Sequence, residues 1–173
     1  MLTRPHRFNF YLLAGLLAAL AVAGCATGPK KGRQKEASIR FHLELNAAEK
    51  GQATNVVVGR SAPFQVTVDR QSFLTEFNVE AARVQDTLGG FAIAIQFDVN
   101  GTILLEQYTT AYRGRRAGII AEFGELRWLA APVMQSRVAN GQFLFTPDAT
   151  REEAERIVEG LNRVAKRTRK QRM

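Results

Sequence analysis

Cysteine and histidine are scarce in this chain of 173 residues, which has one Cys and two His. A single cysteine excludes an internal disulfide framework and a Cys-rich zinc site. His6 and His42 are far apart in sequence and leave little for metal or acid–base chemistry. There is no Gly-x-Ser-x-Gly elbow and no Walker-type loop. No period of 20–50 residues repeats, so a solenoid is excluded. The only long apolar run lies in the first 24 residues. What is present is enough for one folded domain: 46% of residues are hydrophobic, too many for a disordered chain.

Residues 1–24 read as an export signal. Arg4, His6 and Arg7 make a positive start, and an apolar run from Phe8 to Ala23 follows. A run of about 16 residues is short for a spanning helix but suits a signal peptide. It ends Val22-Ala23-Gly24-Cys25, which resembles the bacterial lipobox. The resemblance implies cleavage before Cys25 and acylation of its thiol and new amino group. Each buried lipid CH₂ contributes about 0.8 kcal/mol, so two or three chains anchor stably. Ala26 and Thr27 stand where an Asp would retain an inner-membrane lipoprotein. The expected location is therefore the periplasmic side of the envelope, with the outer membrane favoured. Residues 25–37 read as a lipidated cysteine on a flexible basic tether rich in Gly28, Pro29 and Gly32.

The net charge of +8 comes from 24 basic and 16 acidic residues, and it is segregated. Residues 1–24 hold 2 of the basic residues, 26–37 hold 4, and 163–173 hold 6. Residues 38–162 keep 12 basic residues against 15 acids, so the folded body is slightly acidic. A nucleic-acid groove would carry positive charge on the folded surface, so no nucleic-acid partner is expected. The basic ends read as solvated tails, or as segments drawn to anionic headgroups beside a lipid anchor.

The pattern from Ser38 onward predicts an α+β domain over 38–167, with a basic tail at 168–173. Ile39, Phe41, Leu43 and Leu45 alternate with polar residues as in a half-buried strand. On that reading His42 is a surface strand residue. Val56–Val58 and Phe64–Asp69 follow as strands, with Phe73–Phe77 pairing back on the latter. Ala81–Thr87 and Phe91–Phe97 come next, separated by Gly89-Gly90. Asp98 or Asn100 caps a helix over 100–113 whose apolar positions are Leu104, Leu105, Tyr108, Ala111 and Tyr112. Ala117–Phe123 and Leu126–Val133 form a hairpin through Gly124-Glu125, and Asn140-Gly141 turns into Gln142–Thr146. Thr150 and Glu153 make a capping box for a helix over 150–167. The expected architecture is an antiparallel sheet with two helices packed on one face, a ferredoxin-like split core.

Residues 91–162 carry a family pattern. An apolar strand and a helix lead to Gly114-Arg115-Arg116-Ala117-Gly118-Ile119-Ile120, then a hairpin and Ala130-Ala131-Pro132-Val133-Met134. An apolar strand and Pro147-Asp-Ala-Thr-Arg-Glu-Glu-Ala154 follow. This order resembles the head subdomain of the first periplasmic domain of SecD/SecF, parts of an export motor. Gly124-Glu125 replaces the family's Asp-Gly turn, and Ala130 replaces its usual Ser. No long apolar run follows residue 25, so the resemblance implies a fold and a polypeptide-contacting role, not proton-driven transport.

No catalytic set stands out, and no enzyme, cofactor or metal is expected. Arg115, Arg116, Arg127 and Trp128 offer an Arg–aromatic binding patch. The alternative is that Trp128 packs in or beside the core. The reading is a lipid-anchored, non-enzymatic envelope protein whose domain binds a protein or polypeptide. The alternatives are a structural lipoprotein that holds cell wall or lipid, and a hydrolase using carboxylates such as Glu106 or Glu122.

Overall fold

The computed structural model describes residues 36–46, 49 and 52–172. The signal segment, the lipobox Val22-Ala23-Gly24 with Cys25, and most of the tether lie outside the described residues. The elements run β1 (Ser38–Glu44), β2 (Ala53–Val58), β3 (Phe64–Thr75), β4 (Val79–Thr87) and β5 (Gly90–Phe97). Helix α1 (Val99–Ala111), β6 (Ala117–Glu122), β7 (Leu126–Ala130), β8 (Gln142–Phe145) and α2 (Arg151–Arg172) complete the order.

The α+β class holds, with two helices and antiparallel pairing throughout. The strands divide between two sheets where a single sheet was expected. One sheet has the order β2-β3-β1-β6-β7 and the other β4-β5-β8. The cause is local. After Thr75 a 3-10 turn over Glu76–Asn78 redirects the chain, and Asn78 Oδ1 accepts from the Thr75 N–H at 3.1 Å. The next strand therefore starts a new sheet. Phe73 does not pair back either, because Phe64–Thr75 is one long strand. It bends through bulges against β1 rather than breaking.

Alternation on β1 sends Ile39, Phe41 and Leu43 into the space between the sheets. Phe41 is fully buried there. Its ring meets Phe73 of its own sheet at 6.2 Å between centroids. It also meets Phe97, Phe143 and Phe145 of the other sheet at 5.5, 5.5 and 6.5 Å. All four contacts are edge-to-face, the geometry that aromatic quadrupoles favour.

Helix α2 closes the seam. Its buried stripe is Ala154, Ile157, Val158, Leu161, Val164 and Ala165, the stripe that the 3.6 periodicity marks out. Gly160 is buried with them, and a side chain there would meet the Ala37 backbone nitrogen at 2.5 Å. Asn162 does unusual work for a helix residue. Its amide donates to the Ala82 carbonyl and accepts from the Ala82 N–H, each at 2.8 Å. It thus occupies the free edge of β4 in place of another strand.

The helix starts at the expected capping box. Glu153 N–H donates to Thr150 Oγ1 at 3.2 Å, and the Thr150 N–H donates to Glu153 Oε2 at 2.8 Å. Its far end departs from expectation, for residues 168–172 are helical rather than a tail. Arg167, Arg169 and Arg172 pair with Glu36, Glu80 and Asp98, which holds the last turns against the body. Cations there also suit the negative end of the helix dipole.

Replacing Phe41 with Ala is expected to cost about 3–5 kcal/mol of stability, and Phe41→Leu markedly less. Urea unfolding followed by circular dichroism checks both values.

Candidate binding groove

The five-stranded sheet is strongly curled. Its two edge strands, β2 and β7, come into contact without being hydrogen-bonded neighbours. Bulges between β1 and β3 and between β6 and β7 supply the bend. Gly118 permits the closure, since a side chain there would press on Trp128 and Val68 at 3.1 Å each. The concave face encloses a second small core of Val56, Val58, Val66, Val68 and Ala131, with Trp128 packed against it.

Where the rim of this curl approaches the second sheet there is an open groove of about 660 Å³. Val58 and Phe64 form one bank, Ala92 and Leu144 the other, and Ala131, Pro132 and Pro147 also line it. Phe64 and Leu144 are large apolar residues that remain 41% and 48% exposed. Pro132 follows the end of β7, and the small Ala130 and Ala131 keep the lining shallow. Arg116 braces the groove. Its guanidinium donates to the Ala131 carbonyl at 2.9 Å and lies over the Phe64 ring at 5.4 Å. Strand β8 contributes Leu144 and Phe145 and is the edge of its sheet. An apolar groove beside a free strand edge suits an extended peptide. Its polar lining residues are Thr87, Thr146 and Asp148, and Asp148 already pairs with Arg60 at 3.4 Å. Such a set offers contacts rather than reaction chemistry.

The four residues singled out from sequence lie in different surroundings. Arg115 donates to Glu49 at 2.7 Å and lies over Tyr112. Arg116 braces the groove. Arg127 and Trp128 are neighbours on β7 and so face opposite sides. Arg127 pairs with Glu153 at 2.9 Å and Glu125 at 3.2 Å. Trp128 turns into the curl, its ring 5.3 Å from that of His42. Glu106 and Glu122 are apart as well. Glu106 pairs with Arg137 beside α1, and Glu122 ends β6 at the mouth of the curl. Phe64, Leu144 and Pro147 were not singled out by sequence. The usable signal was Leu144, an apolar residue on the opposite face of β8 from Phe143 and Phe145.

His42 is buried, contrary to the surface position expected from alternation. The outward face of β1 is the inner face of the curl. Burial lowers the His42 pKa below its ordinary 6.5; the hydrogen bond to the Asp69 carbonyl opposes this, and Arg40 adds to it. The neutral ring therefore favours the fold. That contribution is complete above about pH 6.5 and is lost as pH falls through the lowered folded value. His42→Gln is expected to shrink the fall in melting temperature between about pH 7.5 and 5.5, read by thermal scans of both proteins.

Among the described residues no cluster of His, Cys, Asp and Glu is suited to a metal ion. Nor is any helix among them long and apolar enough to cross a membrane. A curled five-stranded sheet packed on a three-stranded one, tied together by α2 and bordered by an apolar groove, makes a small α+β domain. The family model for the SecDF P1 head subdomain matches residues 33–164, and the chain belongs to that family. The match extends well upstream of the stretch 91–162 that carries the motif resemblance. A solved structure of SecDF, described as a membrane component that enhances protein export, aligns with a TM-score of 0.54 at 18% identity. That alignment covers 94% of this chain and 71% of the other. SecDF in a super-membrane-facing form gives 0.53 at 19% identity, over 75% of this chain and 19% of that one. At these identities the likeness is one of fold. Among curated proteins there is no match.

Proposed function

We propose that this protein is a lipid-anchored, non-enzymatic member of the SecDF head family that binds extended, apolar segments of exported polypeptides. The groove between the two sheets carries this reading. It combines exposed apolar side chains, a free strand edge and no reactive constellation. Membership of a family named for an export component supports the connection with export. The lipobox supports the anchor, with Cys25 as the acylated residue and the domain facing the periplasm. Ala26 and Thr27 favour the outer membrane for the mature protein.

A photo-crosslinking residue in place of Phe64 is expected to capture exported chains or export components in cells. Leu144→Glu in the same background is expected to reduce capture at least about tenfold while leaving the melting temperature unchanged, because Leu144 is already half exposed. Capture of cell-wall or outer-membrane proteins alone would support the structural-lipoprotein reading instead.

Cys25→Ser is expected to leave an unprocessed precursor that takes up no labelled fatty acid. A variant that is still lipidated would remove the anchor from this proposal.

A further inference from the structure

The curled sheet has a second concave end, separate from the groove. The alternation that puts Phe41 in the main core puts Arg40 and His42 on the opposite face of β1, where His42 is buried inside the curl and Arg40 is exposed at its mouth. One part of that interior is filled by the valine cluster. Another part remains a cavity of about 270 Å³, lined by Arg40, His42, Arg70, Ile120, Trp128 and, at the rim, Glu122. This is slightly below the lower size limit of about 300 Å³ for drug-sized ligand sites, so only a small molecule fits.

The two arginines set this cavity apart. Arg60, Arg115, Arg127, Arg137, Arg151, Arg163, Arg167, Arg169 and Arg172 each form an ion pair. Arg83 and Arg113 hydrogen-bond to Gln85 and the Gln135 carbonyl, Arg116 to the Ala131 carbonyl, and Arg156 lies over Phe123. Among the described residues only Arg40 and Arg70 have a guanidinium with no hydrogen bond, ion pair or ring contact; both are exposed residues, and both line the mouth of this one cavity. All 16 acids of the chain lie within the described residues, and none pairs with either arginine.

We propose that this cavity binds a small aromatic monocarboxylate. Two unpaired guanidinium forks recognise a carboxylate through charge-assisted hydrogen bonds. The half-buried Trp128 and Ile120 offer a flat apolar wall for a ring. His42 Nδ1 lies 2.8 Å from the Asp69 carbonyl, which can only accept, so Nδ1 carries the proton. Nε2 of the neutral ring is then left as an acceptor. Charge favours a monoanion. Arg40 and Arg70 against Glu122 leave one excess positive charge, which a single carboxylate neutralises and a phosphate dianion exceeds.

Trp128 is the only tryptophan of the chain, so its emission reports on this cavity directly. The test titrates the full-length protein with 3-phenylpropionate, with the uncharged 3-phenylpropanol, and with inorganic phosphate. The expected result is a saturable change in emission with phenylpropionate, at least about tenfold weaker binding of the alcohol and of phosphate, and a further loss of at least about tenfold in an R40Q/R70Q variant. Neither arginine has a partner to lose, so that variant should keep its circular dichroism spectrum and melting temperature. Leu144→Glu should leave the titration unchanged, which separates this site from the groove. The proposal is overturned by no saturable response to phenylpropionate up to about 10 mM, by equal binding of the alcohol, by tighter binding of phosphate, or by an R40Q/R70Q variant that binds as the parent does.

Discussion

The edge-to-face contacts of Phe41 are the constraint on which the rest of the structure depends. The two sheets are not joined by strand hydrogen bonds, since no strand of one pairs with a strand of the other. What holds them face to face is side-chain packing, and Phe41 is the residue whose ring reaches both. Its partners come from β3, β5 and β8, so one ring from the first strand touches four rings on three other strands. Dispersion and burial have no direction, but interlocked rings restrict how one sheet can slide over the other. The groove lies along that junction, where Phe145, one of the rings Phe41 meets, forms part of its lining.

The curl of the first sheet is a second, independent device. A flat sheet of this composition would expose Val56, Val66 and Val68 to water. Curling buries them at the expense of regular pairing, through bulges and the missing side chain at Gly118. Burying one valine contributes about 1.5–3 kcal/mol, enough to offset a disrupted ladder position. The result is a domain with two concavities, one apolar and open between the sheets, the other within the curl with charged residues at its mouth.

Individual elements were legible in the sequence because each rests on local pattern. The β1 and β5 alternation, the Asp98 cap, the Thr150–Glu153 box and the apolar stripe of α2 all survive in the fold. What the pattern could not encode was curvature. Alternation says that Arg40 and His42 share a face opposite Phe41, but not that the sheet wraps over this face at His42 while leaving Arg40 exposed at the mouth. For that reason His42 read as a surface residue. Likewise Arg127 and Trp128 are adjacent in sequence and looked like one patch, yet a strand sends them to opposite faces. The groove escaped notice because its banks come from β2, β3, β5, β7 and β8, brought together only by the tertiary fold. The basic C-terminus read as a tail because its acidic partners, Glu36, Glu80 and Asp98, lie between 70 and 140 residues away along the chain.

Those distant ion pairs bear on how the groove works. Each is exposed on at least one side and contributes about 0–1 kcal/mol, so they do little for overall stability. Their effect is positional. At its start, α2 is held by the contacts of one carboxylate: Glu153 caps the helix, meets Arg127 of β7, and meets Arg60 of the β2–β3 turn. At its end Arg172 meets Asp98, the residue that caps α1. Between these points Asn162 is locked to β4. One helix therefore ties both sheets and the second helix together at several points along its length. A groove whose banks belong to elements fixed in this way is formed before any ligand arrives. If the groove takes the extended chain proposed for it, binding loses little conformational entropy from the protein, and the cost of ordering falls mainly on that chain.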